Sequence, residues 1–489
     1  MRVLLVSPAT PDTFRSFKHA LPFIAKRASF PPLGLLTVAA MLPRDWELKL
    51  VDLNARRLHD KDIAWADYVM ISAMLVQEAS AREVVARCRT LGKPVIAGGP
   101  LFTTGYERFP EVQHFVLGEA ESLMPELVAD MLAGRVQRLY RSPQRPDITC
   151  TPIPRWDLIR MQDYALMPIQ FSRGCPFNCE FCDIIVMNGR VPRVKTTEQM
   201  IRELDSLVAA GWRGSIFIVD DNFIGNRVKA RQLLEAIIQY REKKNVPLVF
   251  TTEASLNIVD HPELLELMAR AGFRKIFVGI ETPAEESLLE CAKVQNTRRD
   301  LVAAVRTIQK AGIEVMGGFI VGFDSDTPSI FERQKEFIQQ SGIVTAMVGL
   351  LTALPDTRLW QRLQAEGRIL RESTGNNLEC VLNFVPRLDR DVLVQGYRTL
   401  VKHLYQPRVY YDRALCFLRE YKPRNATFWT WREVMAVIKA MWVMGLWSRG
   451  RRAYWAFLGR VLIRHPRAFA DAMTLAIVGY HFRRVAATI

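Results

Sequence analysis

The chain has 489 residues, 49% of them hydrophobic, and a formal net charge of +15. That length exceeds one ordinary domain and sets an expectation of two or three, with ample apolar material for their cores. Eight scattered or clustered cysteines, and a start (MRVLLVS) that reads as a buried strand and not as a leader, argue against a disulfide-built secreted protein and for a reducing cytoplasm.

Residues 1–140 alternate short apolar, β-branched runs with helical patterns. Strands are expected at 3–7, 47–52, 68–72, 94–98 and 114–117, and helices at 33–42, 78–91 and 122–132. This order predicts an α/β, doubly wound parallel sheet, whose ligands bind at the carboxyl ends of the strands. Those ends carry small residues: Ser72, Ala73, Met74 and Leu75 after one strand, Gly98, Gly99 and Pro100 after another, and Gly118 after a third. Small residues there let a large flat ligand approach the backbone. No G-x-G-x-x-G follows the first strand, so a nicotinamide dinucleotide is not expected. The stretch 14–30 is long for a βα loop and is expected to cover a ligand or to reach a neighbouring domain.

Four prolines between 141 and 165 mark a linker. From 166 to 360 strands recur at 168–172, 215–220, 248–253, 275–281, 314–321 and 345–351, with helical patterns between them. Six such units suit a barrel-like β/α array with its chemistry at the carboxyl ends of the strands, the partial (β/α)6 barrel that the family resemblance given below implies. After the first strand the sequence reads FSRGCPFNCEFCD, placing Cys175, Cys179 and Cys182 in a C-x3-C-x2-C spacing. Three thiolates on one loop can hold three irons of a [4Fe–4S] cluster and leave the fourth iron open. A structural zinc site wants four closed ligands, and no histidine or fourth cysteine lies nearby in sequence. Arg173, just before this loop, reads equally as a cluster neighbour or a surface cation. Asp220, Asp221 and Asn222 close the second strand, Glu253 and Glu281 the third and fourth, and Gly317 and Gly318 interrupt the fifth. Buried acids in a barrel mouth are costly unless paired or functional, and a glycine pair in a strand marks close backbone approach.

The region 361–489 reads as helical. Residues 408–489 hold fifteen Lys/Arg, four Asp/Glu and five of the ten tryptophans, so +11 of the +15 belongs to this segment. No run of 18 uncharged apolar residues occurs, so no spanning helix is expected. Phe428, Trp429, Trp431, Trp442, Trp447 and Trp455 are interleaved with Arg432, Lys439, Arg449, Arg451, Arg452, Arg460 and Arg464. This pattern suits helices lying in a membrane interface, where each cation contributes about 1 kcal/mol near anionic lipid. A helical cap docked on the barrel is the plainer reading; nothing resembles a groove-reading nucleic-acid motif.

The cysteine spacing resembles the signature of radical S-adenosylmethionine (SAM) enzymes. With the preceding α/β domain, the Pro31-Pro32-Leu33-Gly34 turn and the Gly98–Pro100 turn, the whole chain resembles the cobalamin-dependent radical SAM methyltransferases. Stretches 14–23 and 30–40 look closest to hopanoid C-2 methylases and their relatives. The resemblance implies three cofactors: the cluster on Cys175, Cys179 and Cys182, SAM and cobalamin. It gives Asp220–Asn222 the SAM amine, Gly317 and Gly318 the adenine, and Glu253 and Glu281 contacts to SAM or substrate. No histidine has an aspartate two positions before it, so cobalamin would bind without a histidine ligand. The implied reaction uses a 5′-deoxyadenosyl radical to take hydrogen from an unactivated carbon, which then receives the methyl group of methylcobalamin. The expected substrate is a hopanoid or other apolar polycyclic or isoprenoid lipid. The alternatives are a tetrapyrrole, peptide or antibiotic precursor, or a cobalamin or redox sensor without turnover. A flavodoxin or ferredoxin would supply electrons to a cytoplasmic enzyme held peripherally on the inner face of the membrane.

Overall fold

A computed structural model describes residues 1–376, 378–422 and 431–489, the side chain of Arg432 excepted. Phe428, Trp429 and the Arg432 side chain of the basic tail lie outside the described residues. The first sheet contains β1 (Arg2–Ser7), β2 (Glu47–Asp52), β3 (Tyr68–Ser72), β4 (Val95–Gly98), β5 (His114–Leu117) and β6 (Leu139–Arg141). All pairs are parallel, in the order β2-β1-β3-β4-β5-β6. The strand order reverses between β1 and β3, so the ligand crevice of such a sheet opens where Ser7 and Ser72 end. Val3, Leu4, Leu5 and Val6 are all buried, as a strand covered by helices on both faces requires. The sixth strand was not anticipated. Its three residues sit among charges, and they place the end of this sheet one residue past the expected boundary at 140.

The second sheet contains β7 (Leu166–Ile169), β10 (Ser215–Ile218), β11 (Val249–Glu253), β12 (Phe273–Glu281), β13 (Glu314–Val321) and β14 (Ala346–Leu350); β8 (Ser172–Arg173) and β9 (Arg193–Val194) pair antiparallel as a separate two-stranded sheet across the cysteine loop. The six long strands run parallel in the order β14-β13-β12-β11-β10-β7, an open partial barrel. Along β10 to β13 buried positions alternate with partly exposed ones. The period of two puts Phe217, Thr251, Glu253, Phe277, Met316 and Gly318 on the lumen side. The segment 141–165 does more than cross between sheets. It buries Trp156 and Tyr164, and the Asp163 carbonyl accepts backbone hydrogen bonds from Arg27 and Ala28. The expected boundary at 361 falls inside a helix, Arg358–Ala365.

Among the described residues five α-helices follow: Arg390–Leu404, Pro407–Glu420, Trp431–Trp442, Arg451–Arg464 and Phe469–Ala486. The last of them packs on the N-terminal loop through an aromatic stack in which Phe482 lies 5.0 Å from Phe14 and 5.1 Å from Tyr405. Ring pairs of this kind add about 0.5–1.5 kcal/mol each beyond their burial. His481 Nε2 donates to the carbonyls of Thr13 and Phe14, both at 3.1 Å, while Nδ1 accepts from the amide of His19 at 3.3 Å. Burial lowers the imidazole to about 4, so it sits neutral in this clasp. The long loop at 14–30 is thereby pinned by the last helix.

Candidate functional site

The cysteine loop is shaped by one glycine. Gly174 has φ +101, and a Cβ there would lie 2.8 Å from the carbonyl oxygen of Val191. No side chain fits, and the chain turns tightly enough for the Cys175 amide to reach the Gly189 carbonyl at 3.2 Å. Cys179 is buried, Cys175 and Cys182 half-buried, and all three are free thiols. Two amides point at them: Asn222 Nδ2 lies 4.0 Å from Cys175 Sγ, and Gln295 Nε2 lies 3.7 Å from Cys179 Sγ. Burial raises the thiols of Cys175 and Cys182, the latter to about 12, so thiolates there need positive compensation. Lys293 supplies part of it. Burial works against its charge, but Glu281, Cys179 and Cys182 outweigh that and hold it protonated. Among the described residues, no three His, Cys, Asp or Glu side chains close around a single metal ion. A donor set of three thiols and N–H···S contacts suits a cluster, whose irons are spread apart.

The acids at the strand ends divide into braces and lumen groups. Asp220, expected to accept from the SAM amine, also braces the start of the cysteine loop. Its Oδ1 accepts from the amides of Phe171 and Ser172 at 2.8 and 2.9 Å, and its Oδ2 from Ser172 Oγ at 2.7 Å. Burial pushes it up to about 7 against these donors. Asp221 Oδ2 accepts from the Gly174 amide at 2.7 Å and Asn188 Nδ2 at 2.9 Å, so it also braces the loop. Asn222 Oδ1 accepts from the amide and hydroxyl of Ser255 at 3.2 and 3.3 Å. Glu253 faces the lumen. Burial raises its carboxyl, and Arg15 from the long N-terminal loop draws it back from 3.4 Å. Arg15 also stacks 4.6 Å over Phe277, so that loop does reach the barrel. Glu281 pairs with Lys293 at 2.7 Å and holds φ +66, a conformation costing a non-glycine residue about 1–3 kcal/mol. Gly318 faces the lumen, where a Cβ would come 2.8 Å from the Phe277 ring; Gly317 faces outward, with Phe319 at 2.7 Å. Only one of the pair is therefore open to a ligand.

At the carboxyl edge of the first sheet, Ser72, Ala73, Gly98, Gly99 and Pro100 form one knot. The Ala73 amide donates to the Gly98 carbonyl at 3.3 Å, and the Leu101 amide to the Ala73 carbonyl at 2.9 Å. A Cβ on Gly99 would lie 2.6 Å from Ser72 Oγ, and one on Gly98 3.0 Å from the Val116 carbonyl. These glycines clear space for their own backbone. Gly118 differs: its φ is +90 and nothing lies within 4 Å of a Cβ there. Met74, past the end of β3, is 56% exposed, and Leu75 lies against Gly375, where a Cβ would approach to 3.0 Å.

Arg173 joins the two sheets, so it is neither a cluster neighbour nor a surface cation. Its guanidinium meets Glu119 and Glu121, each at 2.6 Å, and Arg193 holds the other Glu119 oxygen at 2.6 Å. These acids closely follow Gly118, so the clamp ties the first sheet's edge to the residue before Gly174. Lys293, Gln295, Arg15 and Glu121 were all missed. None lies in a periodic or spaced motif; only the length of the 14–30 loop hinted at Arg15.

Residues 26–128 match the B12 binding domain, 169–338 the radical SAM superfamily, and 357–489 a domain of unknown function, DUF4070. An uncharacterized methyltransferase of Synechocystis sp. is 40% identical over 99% of this chain and 91% of its own length. The hopanoid C-2 methylase of Rhodopseudomonas palustris is 37% identical over 98% of this chain and 92% of its own. The chain belongs to the cobalamin-dependent radical SAM methyltransferases. The fold agrees: the radical SAM methyltransferase TsrM from Kitasatospora setae, solved with cobalamin and a [4Fe–4S] cluster, superposes with a TM-score of 0.65 at 16% identity, covering 100% of both chains. The cofactors of this methyltransferase are thus a [4Fe–4S] cluster, SAM and cobalamin, and its substrate a small molecule. The three free thiols with their N–H donors fit the cluster, and the open edge at Gly118 fits a flat macrocycle. No helix among the described residues is long and apolar enough to cross a membrane.

Proposed function

We propose that this methyltransferase places a methyl group on an unactivated carbon of a hopanoid or another apolar polycyclic or isoprenoid lipid. The observation that carries this reading is the lumen: Phe217, Phe277, Met316 and Met347 are partly exposed strand positions, and Phe30 closes edge-on against Phe217 at 5.9 Å. The 37% identity to a hopanoid C-2 methylase along nearly the whole chain supports it. When bound, the cofactors supply the radical and the methyl group, and the protein supplies orientation and dryness. Cys175, Cys179 and Cys182 hold the cluster, with Asn222 and Gln295 donating to the sulfurs. Lys293 offsets their charge. Asp220 and Asp221 fix the loop, leaving Glu253 as the lumen acid available to SAM or substrate, with Arg15 fixing its direction. Ser72–Leu75 and Gly118 would hold the cobalamin.

A flavodoxin or ferredoxin is the electron donor in this reading. Arg145, Arg190 and Arg358, all exposed, donate to carbonyls of the cysteine loop at 2.9, 3.3 and 3.3 Å and give an acidic donor a basic rim there. The enzyme works peripherally at the inner face of the cytoplasmic membrane. The test is anaerobic reconstitution followed by incubation with SAM, reductant and a detergent-dissolved hopanoid or, separately, a chlorin. Mass increase by one methyl group in the hopanoid is the expected result. Methylation of the chlorin alone would overturn the substrate assignment, and 5′-deoxyadenosine release with neither would overturn both.

A further inference from the structure

The helix Trp431–Trp442 is apolar on two sides. Ala436, Ala440 and, in the following turn, Met444 are buried. On another side Trp431, Met435, Ile438, Trp442 and Leu446 follow one another at intervals of three and four, which places them on one stripe, and every one is exposed. Trp431 and Trp447 are each 75% exposed. Trp455 of the next helix extends the stripe: its indole donates to the Gly445 carbonyl at 3.0 Å, beside Leu446. Leu462 and Ile463 stand exposed further along that helix, Ile463 at 83%. A contiguous exposed set of this size marks a contact surface.

The charges around the stripe are mainly positive, with Glu433 an acidic exception in the first turn of the helix. Arg449, Arg451, Arg452, Arg464 and Arg467 are exposed, and no carboxylate pairs with them among the described residues. Beside Leu462 and Ile463 a cavity of about 230 Å³ is lined by Leu415, Arg419, Arg460, Arg464 and His465, three guanidiniums of which Arg460 also pairs with Asp412 at 3.3 Å. Tryptophans level with unpaired arginines are what the headgroup layer accommodates, and a helix apolar on its outer face lies in that layer instead of crossing it. A nucleic acid would answer the arginines and leave the stripe uncovered.

We propose that this face docks on an anionic lipid bilayer, with the stripe from Trp431 to Leu446 sunk at headgroup depth and a lipid phosphate seated among Arg419, Arg460 and Arg464. The proposal rests on the lipid substrate argued above and adds the route by which that substrate arrives. Lys439 Nζ donates to the Pro22 carbonyl at 2.8 Å, so the docked helix touches the loop that carries Arg15 to Glu253. The bilayer surface and the barrel mouth are thus joined by one loop.

The test uses the full reconstituted protein and sedimentation with vesicles of phosphatidylcholine alone or mixed with phosphatidylglycerol. Binding to the mixed vesicles, its release at high salt and tryptophan quenching by brominated lipid are expected. Ile438→Glu with Trp442→Glu should abolish it without changing the melting temperature. Each of Arg449→Gln, Arg451→Gln and Arg452→Gln should weaken it roughly fivefold, the effect of one cation near an anionic surface. Equal recovery in the supernatant with both vesicle types would overturn the proposal. So would a lipid-free dimer that Trp442→Glu dissolves, since a second copy would then cover the face. Methylation of a detergent-dissolved hopanoid by a protein that ignores vesicles would sink this surface and leave the function standing. Vesicle binding without methylation of any lipid would do the reverse.

Discussion

The ligand edges of the two parallel sheets are built from opposite materials. The edge of the first sheet is a knot of Ser72, Ala73, Gly98, Gly99 and Pro100, held by backbone hydrogen bonds and almost free of charge. The mouth of the second gathers Asp220, Asp221, Glu253, Glu281, Lys293 and Arg173, the first and fourth buried, the others partly buried, and each with a named partner. A neutral, close-packed edge suits the flat macrocycle proposed for it. A mouth that must steady thiolates and an amino-acid zwitterion needs preset charge, and buried charge is tolerated only when paired. The same strand topology thus serves two chemistries because the residues just past the strands differ.

The sharpest way to separate the two edges is to empty one of them. Replacing Cys175, Cys179 and Cys182 together with Ala should remove all iron and all SAM cleavage, while cobalamin absorbance in the bound fraction persists. Iron retained by the triple variant would refute the ligand assignment. Next in size is the clamp between the edges. Arg173→Ala leaves Glu121 buried and unpaired, and breaking a buried pair from one side costs about 3–5 kcal/mol in denaturant unfolding. Adding Glu121→Gln should recover part of that loss; no recovery would mean the ion pair is incidental.

The brace inside the mouth comes third. Asp220→Ala strands two buried amides and should cost on the order of 2–4 kcal/mol, whereas Asp220→Asn keeps an acceptor and should cost less. The pH dependence has a definite sign. Asp220 sits near 7 instead of 3.8, so the folded form holds its proton more tightly than the unfolded one. Stability from this group is full below about 4 and falls as the pH rises to 7. Asp220→Asn should flatten that slope in melts run across the range; an unchanged slope would show that Asp220 ionises normally. The smallest effect belongs to the neutral edge. Gly118→Trp should weaken cobalamin binding about tenfold, on the order of 1.4 kcal/mol, and leave the iron content alone. Gly99→Ala should instead lower the melting temperature, because its Cβ meets Ser72 before any ligand.

Much of the fold was legible because its signals are local. The strand runs, the three-cysteine spacing and the Gly174 turn each lie within a dozen residues. The strand β6 escaped because three residues between charges carry no periodic signal. In the site the failures have one cause. Asp220 at a strand end reads as aimed into the barrel, yet it turns back to Phe171 and Ser172, 49 and 48 residues away. Gln295 meets Cys179 across 116 residues, and Arg15 meets Glu253 across 238. Such pairings depend on which loop folds over which, and spacing within one segment does not encode that. Composition alone reveals the basic tail; which of its tryptophans face outward needed the helix.

The clasp of His481 has a consequence for how the molecule is made. The loop carrying Arg15 to the barrel mouth leaves the ribosome among the first thirty residues, but its anchor is 468 residues downstream. Domains emerging first fold first during synthesis. The cobalamin sheet and the barrel can therefore form while this loop still hangs open, and the mouth is finished only when the last helix arrives and the histidine closes on Thr13 and Phe14.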